Sequence, residues 1–443
     1  MTGVTLTVAI VSSVLVLFLT PLHALIIYMA TLLWYPTYLS APFGTIDFTV
    51  HRIVILVLLS KLYLTTNLPN KLKWTQLDKM LLIYFMAQLL SGAIATRPFG
   101  SFLENRAGRI CDMILPYLAI RLVITDRQKY LTFLKSIMVI AIPLAGVGIY
   151  QTISGHNPFG YLIRYSAWMS GQDYSPMSRI GLTRANVVFA HPIMFGLFFS
   201  MMGPLCVGLF SYGKKYHFLY WIGMGFICLG LFSCLSSGPA FGVLCAIAFM
   251  VFYRFRQHWK VLTVIIVIMC VVIEVISDRH FFEVIDRVTL NSATAWYRGR
   301  LIEVVLFEGG MRGHWITGFG YNSDPGWGAR IDWRAHTDIV NHYILVLCRY
   351  GLIGLFPFFI LNYVAIKKLI YSFKLAKRRA DKWLVWCLAS GLFGLWVAFN
   401  TVSLYDQPLT LYFIMLALCG AMPAVVAPPK LHLHGIQTLT ESS

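Results

Sequence analysis

Guanidinium groups are the chemically capable side chains of this chain, and they are unevenly placed. When the apolar segments are laid across a bilayer, fourteen arginines fall on one side: Arg52, Arg97, Arg106, Arg109, Arg164, Arg179, Arg184, Arg279, Arg287, Arg298, Arg300, Arg312, Arg330 and Arg334. All fifteen lysines fall on the other. The positive-inside rule makes the lysine side cytoplasmic and the arginine side external. A planar five-donor fork grips phosphate or carboxylate at two points, as an ammonium cannot, so the set fits a phosphorylated or acidic ligand on the outer face. Anchoring to lipid headgroups is the competing account. At the end of the outer segment 278–338 stand His336 and Asp338, with His342 just beyond. A histidine near its unperturbed pKa of about 6.5 is the usual proton acceptor at neutral pH. If a helix has begun by Asp338, Asp338 and His342 share a face and the carboxylate orients the imidazole. Otherwise Asp338 is an ordinary helix-start aspartate and His342 a hydrogen-bonded structural residue.

Membrane-spanning helices must position these groups. The 443 residues are 58% hydrophobic and 12% charged, with mean hydropathy +0.70, whereas about a quarter of a soluble domain is charged. The expected fold is an all-α polytopic membrane protein of twelve or thirteen spans, each of about 20 residues. The ambiguity lies in the first two apolar segments, which meet at Pro21 as one kinked span or a hairpin. Lysine-bearing loops at 68–79, 211–217, 254–260 and 366–382 fix the inside, leaving 152–189 and 278–338 outside. The chain divides into a transmembrane region 1–189 that includes the outer loop 152–189, central helices 190–277, a large periplasmic loop 278–338, C-terminal helices 339–427 and a cytoplasmic tail 428–443. The formal charge of +18 is dispersed between spans, and the one dense run, Lys374 to Lys382, reads as a stop-transfer loop facing anionic lipid, so no nucleic-acid partner is expected. The nine cysteines lie in or at apolar segments without metal-ligand spacing, so neither disulfide, metal nor cofactor is expected. The N-terminus lacks a basic region and a small-residue cleavage site, so the first segment is expected to be retained. No repeat of fixed period runs along the chain.

The larger outer loop sets seven arginines against eight acids, the balance of a structured segment. Leu301, Val304, Val305 and Glu308 recur at helical spacing, and Arg298 and Ile302 lie one turn apart, which predicts an amphipathic helix on the membrane over 296–311. Gly318-Phe319-Gly320-Tyr321 and Asp324-Pro325-Gly326-Trp327-Gly328 follow. Glycines there allow close approach to a ligand and flat aromatics stack on sugar rings, although any interfacial turn has a similar composition. Arg349 is a charge about ten positions inside an apolar segment, and such a residue faces a cavity or ligand unless backbone carbonyls or Tyr350 satisfy it.

Four segments together resemble the bacterial O-antigen ligase and O-antigen polymerase family. They are Arg179-Ile180-Gly181-Leu182-Thr183 with Asn186 and Pro192; Leu235-Ser236-Ser237-Gly238-Pro239; Ala293, Tyr297 and Arg298 with Gly318 and Gly320; and Asn341-His342-Tyr343-Ile344 leading into Tyr350-Gly351-Leu352-Ile353-Gly354. The resemblance covers the middle and C-terminal half, and its last segment is the most specific. It implies a multi-pass glycosyltransferase of the inner membrane, its site facing the periplasm, using sugars carried on undecaprenyl diphosphate. It further implies that Arg179 and Arg298 hold the diphosphate; Arg184 joins them on position alone. Two departures stand out. Gly238 occupies a place where the family often has arginine, and Val340 precedes Asn341 where the ligases carry the histidine assigned to activating the acceptor.

The second departure favours polymerase over ligase activity and leaves His342, Asp338 or His336 as candidate base, with Asn341 and Arg349 as further site residues. Preorganised arginines would stabilise charge on the departing diphosphate without a metal. No paired-carboxylate spacing suggests glycoside hydrolysis, and there is neither a serine nucleophile motif nor a phosphate-binding glycine loop. The expected partners are the lipid-linked oligosaccharide, an acceptor glycan or lipid-linked glycan, the bilayer, and a chain-length regulator of O-antigen, capsule or exopolysaccharide synthesis. The alternatives are a transporter or flippase for lipid-linked sugar, which calls for internal repeats and polar residues through several spans, and a non-catalytic scaffold.

Overall fold

A computed structural model of the chain describes residues 2–43, 46–66, 73–96, 99–166, 177–213, 216–276, 292–321, 323–332 and 335–427. Arg97, Arg279, Arg287, Arg334 and the expected tail 428–443 lie outside the described residues.

The fold is all-α, with two short two-stranded ribbons among the described residues. The helices α1 (Thr2–Phe18) and α2 (Pro21–Trp34) are separated because Pro21 has no N–H to continue a helix and suits its first turn. Thr5 at the start of α1 shares a 2.7 Å hydrogen bond with Tyr35 just beyond α2, so the pair is a hairpin. Then come α3 (Val50–Thr66), α4 (Gln76–Ala95), α5 (Phe99–Arg109), α6 (Leu115–Val123) and α7 (Arg127–Ser154). Between α5 and α6 the chain widens into a π-turn, Ile110–Ile114, where Pro116 withholds a backbone donor. The central group is α8 (Pro192–Val207), α9 (His217–Ser233), α10 (Ser237–Phe252) and α11 (Trp259–Ile276). After them follow α12 (Ser292–Leu306), the short α13 (Gly328–Ile331), α14 (His342–Leu375), α15 (Arg379–Ala398) and α16 (Asp406–Val426).

Among the described residues, six helices are long and apolar enough to cross a membrane: Gln76–Ala95, Arg127–Ser154, Pro192–Ser211, Ser237–Val261, His342–Leu375 and Asp406–Val426. Other apolar segments fold into shorter helices, α1, α2 and α9 among them. Eighteen of the 21 residues of α16 are buried, so it has no polar face and occupies the centre. Helices α10 and α15 meet backbone to backbone: a Cβ on Gly242 would lie 2.9 Å from the Gly394 carbonyl, and only small residues permit that approach. One end of the bundle is tied by buried ion pairs. Asp78 of α4 takes Arg121 of α6 at 2.9 Å and the Tyr117 hydroxyl at 2.6 Å, and Arg121 also donates to the Gly420 carbonyl of α16. Asp381 of α15 takes Arg127 of α7 at 2.8 Å.

The other end is organised around an interruption in α14. At Gly351 the backbone leaves the helical region (φ 59, ψ −160), and the loop 315–319 takes over the freed groups. Leu352 N–H donates to the Trp315 carbonyl at 2.8 Å, Ile353 N–H to Ile316 at 3.2 Å, and Phe319 N–H to Cys348 at 2.7 Å. Backbone that leaves a helix at membrane depth survives only where protein satisfies it in this way. Gly318 and Gly320 serve the same seam: a Cβ on either would lie within 3 Å of the carbonyls of Cys348 and Ala95. The close approach expected of these glycines is therefore to α14 and α4.

The amphipathic helix predicted over 296–311 is present as α12, but its apolar face meets protein, not lipid. Leu301, Val304 and Val305 are fully buried in a small core with Met311, Trp327 and Ile331, which rests on Ile344, Leu347 and Cys348 of α14. Glu308 lies past the helix end, paired with Arg300 and Arg330. Gly351→Ala tests the seam, because its Cβ would sit 2.2 Å from the Ile316 carbonyl oxygen at a positive φ. The expected loss is about 2–4 kcal/mol, read as a lower unfolding temperature in detergent, whereas Gly225→Ala, with open space around it, leaves that temperature within error.

Candidate functional site

A cavity of about 840 Å3 opens at this second end of the bundle. Its walls come from the 178–184 ribbon, the N-terminal ends of α8 and α10, α12, the loop 321–340, the first half of α14 and the turn before α16. Arg179 and Arg184 sit on a two-residue hairpin in which Arg179 pairs with Leu182. Both turn residues, Ile180 (φ 57) and Gly181 (φ 73), have positive φ, the signature of a type I′ turn. Glycine adopts this freely, whereas the β-branched, exposed Ile180 is strained there.

The two guanidiniums are aimed by one turn. Arg179 Nη1 donates to the Leu235 carbonyl at 3.0 Å and Arg184 Nε to that of Cys234 at 3.2 Å. The arginine segment and the serine-containing turn, 50 residues apart in sequence, thus form a single unit, with Ser236 and Ser237 on the cavity wall at the start of α10. Burial first, and then the neighbouring Arg179 charge, pushes Arg184 below its ordinary pKa. Two cations held together beside two helix N-termini make a site for an anion.

Arg298 in α12 and Arg349 in α14 line the same cavity, so three of the sequence-derived anion ligands and Arg349 are brought together. Arg349 lies just before the break at Gly351, in the half-helix that faces the cavity, and this accounts for a charge within an apolar segment. Its guanidinium stacks 4.6 Å from the ring centre of Tyr321. Asp338 also lines the cavity, its backbone N–H donating to the Tyr297 hydroxyl at 3.1 Å. Of the aromatic side chains in the stretch 318–328, Tyr321 lines the cavity, beside Asp324 and Pro325. Trp327 is buried with its indole N–H on the Gly310 carbonyl, and Phe319 stacks on His314.

The histidines go elsewhere. Helix α14 begins at His342, with Asn341 as a buried N-cap accepting from Ile344 N–H at 3.1 Å, so Asp338 precedes the helix and the condition for an i,i+4 pairing with His342 is not met. His342 is 4% exposed, accepts the Leu404 N–H through Nδ1 at 3.2 Å, and packs against the Phe358 and Phe399 rings. It lines a small void behind the cavity, not the cavity itself. His336 is exposed, 3.3 Å from the Asp324 carboxylate, which Thr337 also engages. Val340, the residue before Asn341, lines the cavity.

His191, overlooked in the sequence, lines the cavity as the N-cap of α8. Burial, aided by Arg184, lowers its pKa to about 4, and its Nδ1 accepts from Ile193 N–H. The ring is therefore neutral at pH 7 and, with Nδ1 accepting, carries its proton on Nε2 as a donor. Its signal was the His191-Pro192 step before an apolar run.

The packing of His342 predicts a stability effect. His342→Ala leaves a void between two phenylalanines and an orphaned Leu404 N–H, so a loss of about 2–4 kcal/mol is expected by thermal unfolding in detergent. An unchanged unfolding temperature would contradict this structural role.

A scan of protein-family models finds none that matches this chain, and a search of curated proteins finds no match.

Proposed function

We propose that the protein is a glycosyltransferase of the bacterial inner membrane, akin to the O-antigen polymerases and ligases. In this reading it joins undecaprenyl-diphosphate-linked oligosaccharide units on the periplasmic face, within a topology of twelve or thirteen spans. The observation that carries the reading is the convergence of Arg179, Arg184, Arg298 and Arg349 on one cavity bounded by two helix N-termini. The donor's anomeric carbon loses its bond to the diphosphate oxygen, which leaves with the electron pair. An acceptor hydroxyl oxygen bonds to that carbon and gives up its proton. Charge developing on the leaving diphosphate is what preorganised guanidiniums stabilise. Val340 on the cavity wall supports polymerase over ligase activity, because the ligase histidine is missing from a position that faces the site.

Reconstitution with purified lipid-linked repeat units tests the chemistry. Wild type is expected to lengthen the carrier-linked glycan, and Arg179→Lys and Arg298→Lys to slow this by about 100-fold or more, because the charge stays while the two-point geometry is lost. Exposed Arg312→Lys stays within about twofold of wild type. Equal yields from all four proteins would remove the arginine assignment. Movement of carrier across the bilayer with no new glycosidic bond would replace the enzyme by a transporter.

Orientation has its own test. In a cysteine-free background, Arg312→Cys is expected to react with an impermeant maleimide on intact spheroplasts, and Lys377→Cys only after permeabilisation. The reverse pattern would put the cavity on the cytoplasmic side.

A further inference from the structure

Position 340, where a ligase histidine would face the cavity, carries no base, and His342 is turned away from it. Another group must take the acceptor proton. Tyr321 lines the cavity and is half-buried, with three guanidiniums around its ring. Arg349 of α14 lies 4.6 Å from the ring centre, Arg106 of α5 at 5.5 Å and Arg109 of α5 at 5.6 Å. The ring is fixed from behind: Tyr321 N–H donates to Thr96 Oγ1 at 3.1 Å, and Gly320 brings the chain against the Ala95 carbonyl. The arginines are fixed as well, since Arg106 donates to Gln88 and to the Tyr350 hydroxyl, both at 3.0 Å.

Among the described residues, the carboxyl groups that act on Arg109 are Asp112 and Asp406. Asp112, behind Arg109, is held at both oxygens by Arg52, at 3.0 and 2.7 Å, and Asp324 in the cavity wall is taken by Thr337 and Gly326. A phenol in such a place is a pre-assembled phenolate site.

We propose that Tyr321 is a catalytic residue of the transfer reaction, its phenolate oxygen accepting the proton of the attacking acceptor hydroxyl. The proposal rests on the glycosyltransferase reading above. The hydroxyl O–H bond breaks as its oxygen bonds to the anomeric carbon. The proton passes to the Tyr321 oxygen, and the diphosphate leaves with the electron pair of the broken C–O bond. The phenol then returns its proton to water at the open mouth of the cavity, so the cycle needs no other reactant. Burial pushes the phenol up, but Arg109 and Arg349 beside it outweigh burial and hold it at about 8. Roughly a tenth of the molecules then carry phenolate at pH 7, against about a thousandth for a tyrosine at its usual value.

Tyr321→Phe keeps the ring for the arginines and removes the oxygen, so it separates proton transfer from packing. Two measurements are made on purified full-length protein between about pH 6 and about pH 9.5, a range that brackets the raised and ordinary phenolate fractions. The first is the near-ultraviolet phenolate difference spectrum, wild type minus variant, which needs no substrate. The expected result is one tyrosine titrating near pH 8, with the midpoint moving upward in Arg109→Gln. The second is elongation of lipid-linked repeat units. Wild-type turnover should rise with pH through the same midpoint, and Tyr321→Phe should lose about 100-fold or more in turnover together with that rise, while KM for the donor stays within about twofold. Absence of the spectral step, or a variant that elongates within about twofold of wild type, overturns the proposal alone. A wild-type protein that elongates nothing overturns the glycosyltransferase reading and the proposal with it, and that failure is visible without the variant.

Discussion

The interruption of α14 at Gly351 is the constraint on which the arginine end depends. An unbroken helix would satisfy its own carbonyls and leave loop 315–319 with nothing to bond. Once broken, it offers the Cys348 carbonyl and the Leu352 and Ile353 N–H groups to that loop, and the loop can bury its backbone beside them. Everything downstream inherits the registration. Tyr321 is delivered against Arg349 because Phe319, two residues earlier, is bonded to α14. The small core beneath α12 rests on the same half-helix, so the loop behaves as part of the bundle rather than as an appendage.

Arg121 and Arg127 are held differently from the two ribbon arginines of the cavity. At one end two buried acids take arginines: Asp78 holds Arg121 and Asp381 holds Arg127. Such pairs hold helices together, and breaking one strands a buried charge. At the other end, Arg179 and Arg184 are held by backbone carbonyls, which orient a guanidinium without neutralising it. The positive field is thereby preserved for whatever enters the cavity. A neutral His191 adds a donor there without adding charge.

Much of this was legible in the sequence, for identifiable reasons. Guanidinium chemistry and the placement of Arg179, Arg184 and Arg298 pointed to an anion site, and the three converge with Arg349 on one cavity. The pattern of Leu301, Val304 and Val305 announced a helix with one apolar face, but periodicity cannot say whether that face meets lipid or protein. The direction of His342 depended on where α14 begins. Asn341 is a good N-cap, and treating it as one would have put Asp338 outside the helix and turned the imidazole inward. Tyr321 was visible only as an aromatic among glycines. Its chemistry arises from Arg106, Arg109 and Arg349, which approach from two helices more than 200 residues apart, and no local pattern encodes that meeting.

The burial of α16 on every side bears on how the molecule is made. Apolar helices ordinarily enter the bilayer as they are synthesised and keep some surface against lipid tails. This one has almost none to keep, yet it is made after every other helix described. Its neighbours α6, α8 and α14 must therefore wait in the membrane around an unfilled slot. Until α16 arrives, Arg121 lacks the Gly420 carbonyl and Asn362 lacks the Tyr412 hydroxyl. Closure of the bundle is a late event in the life of the chain, and a ribosome that stalls before residue 406 leaves behind an open, chaperone-dependent intermediate.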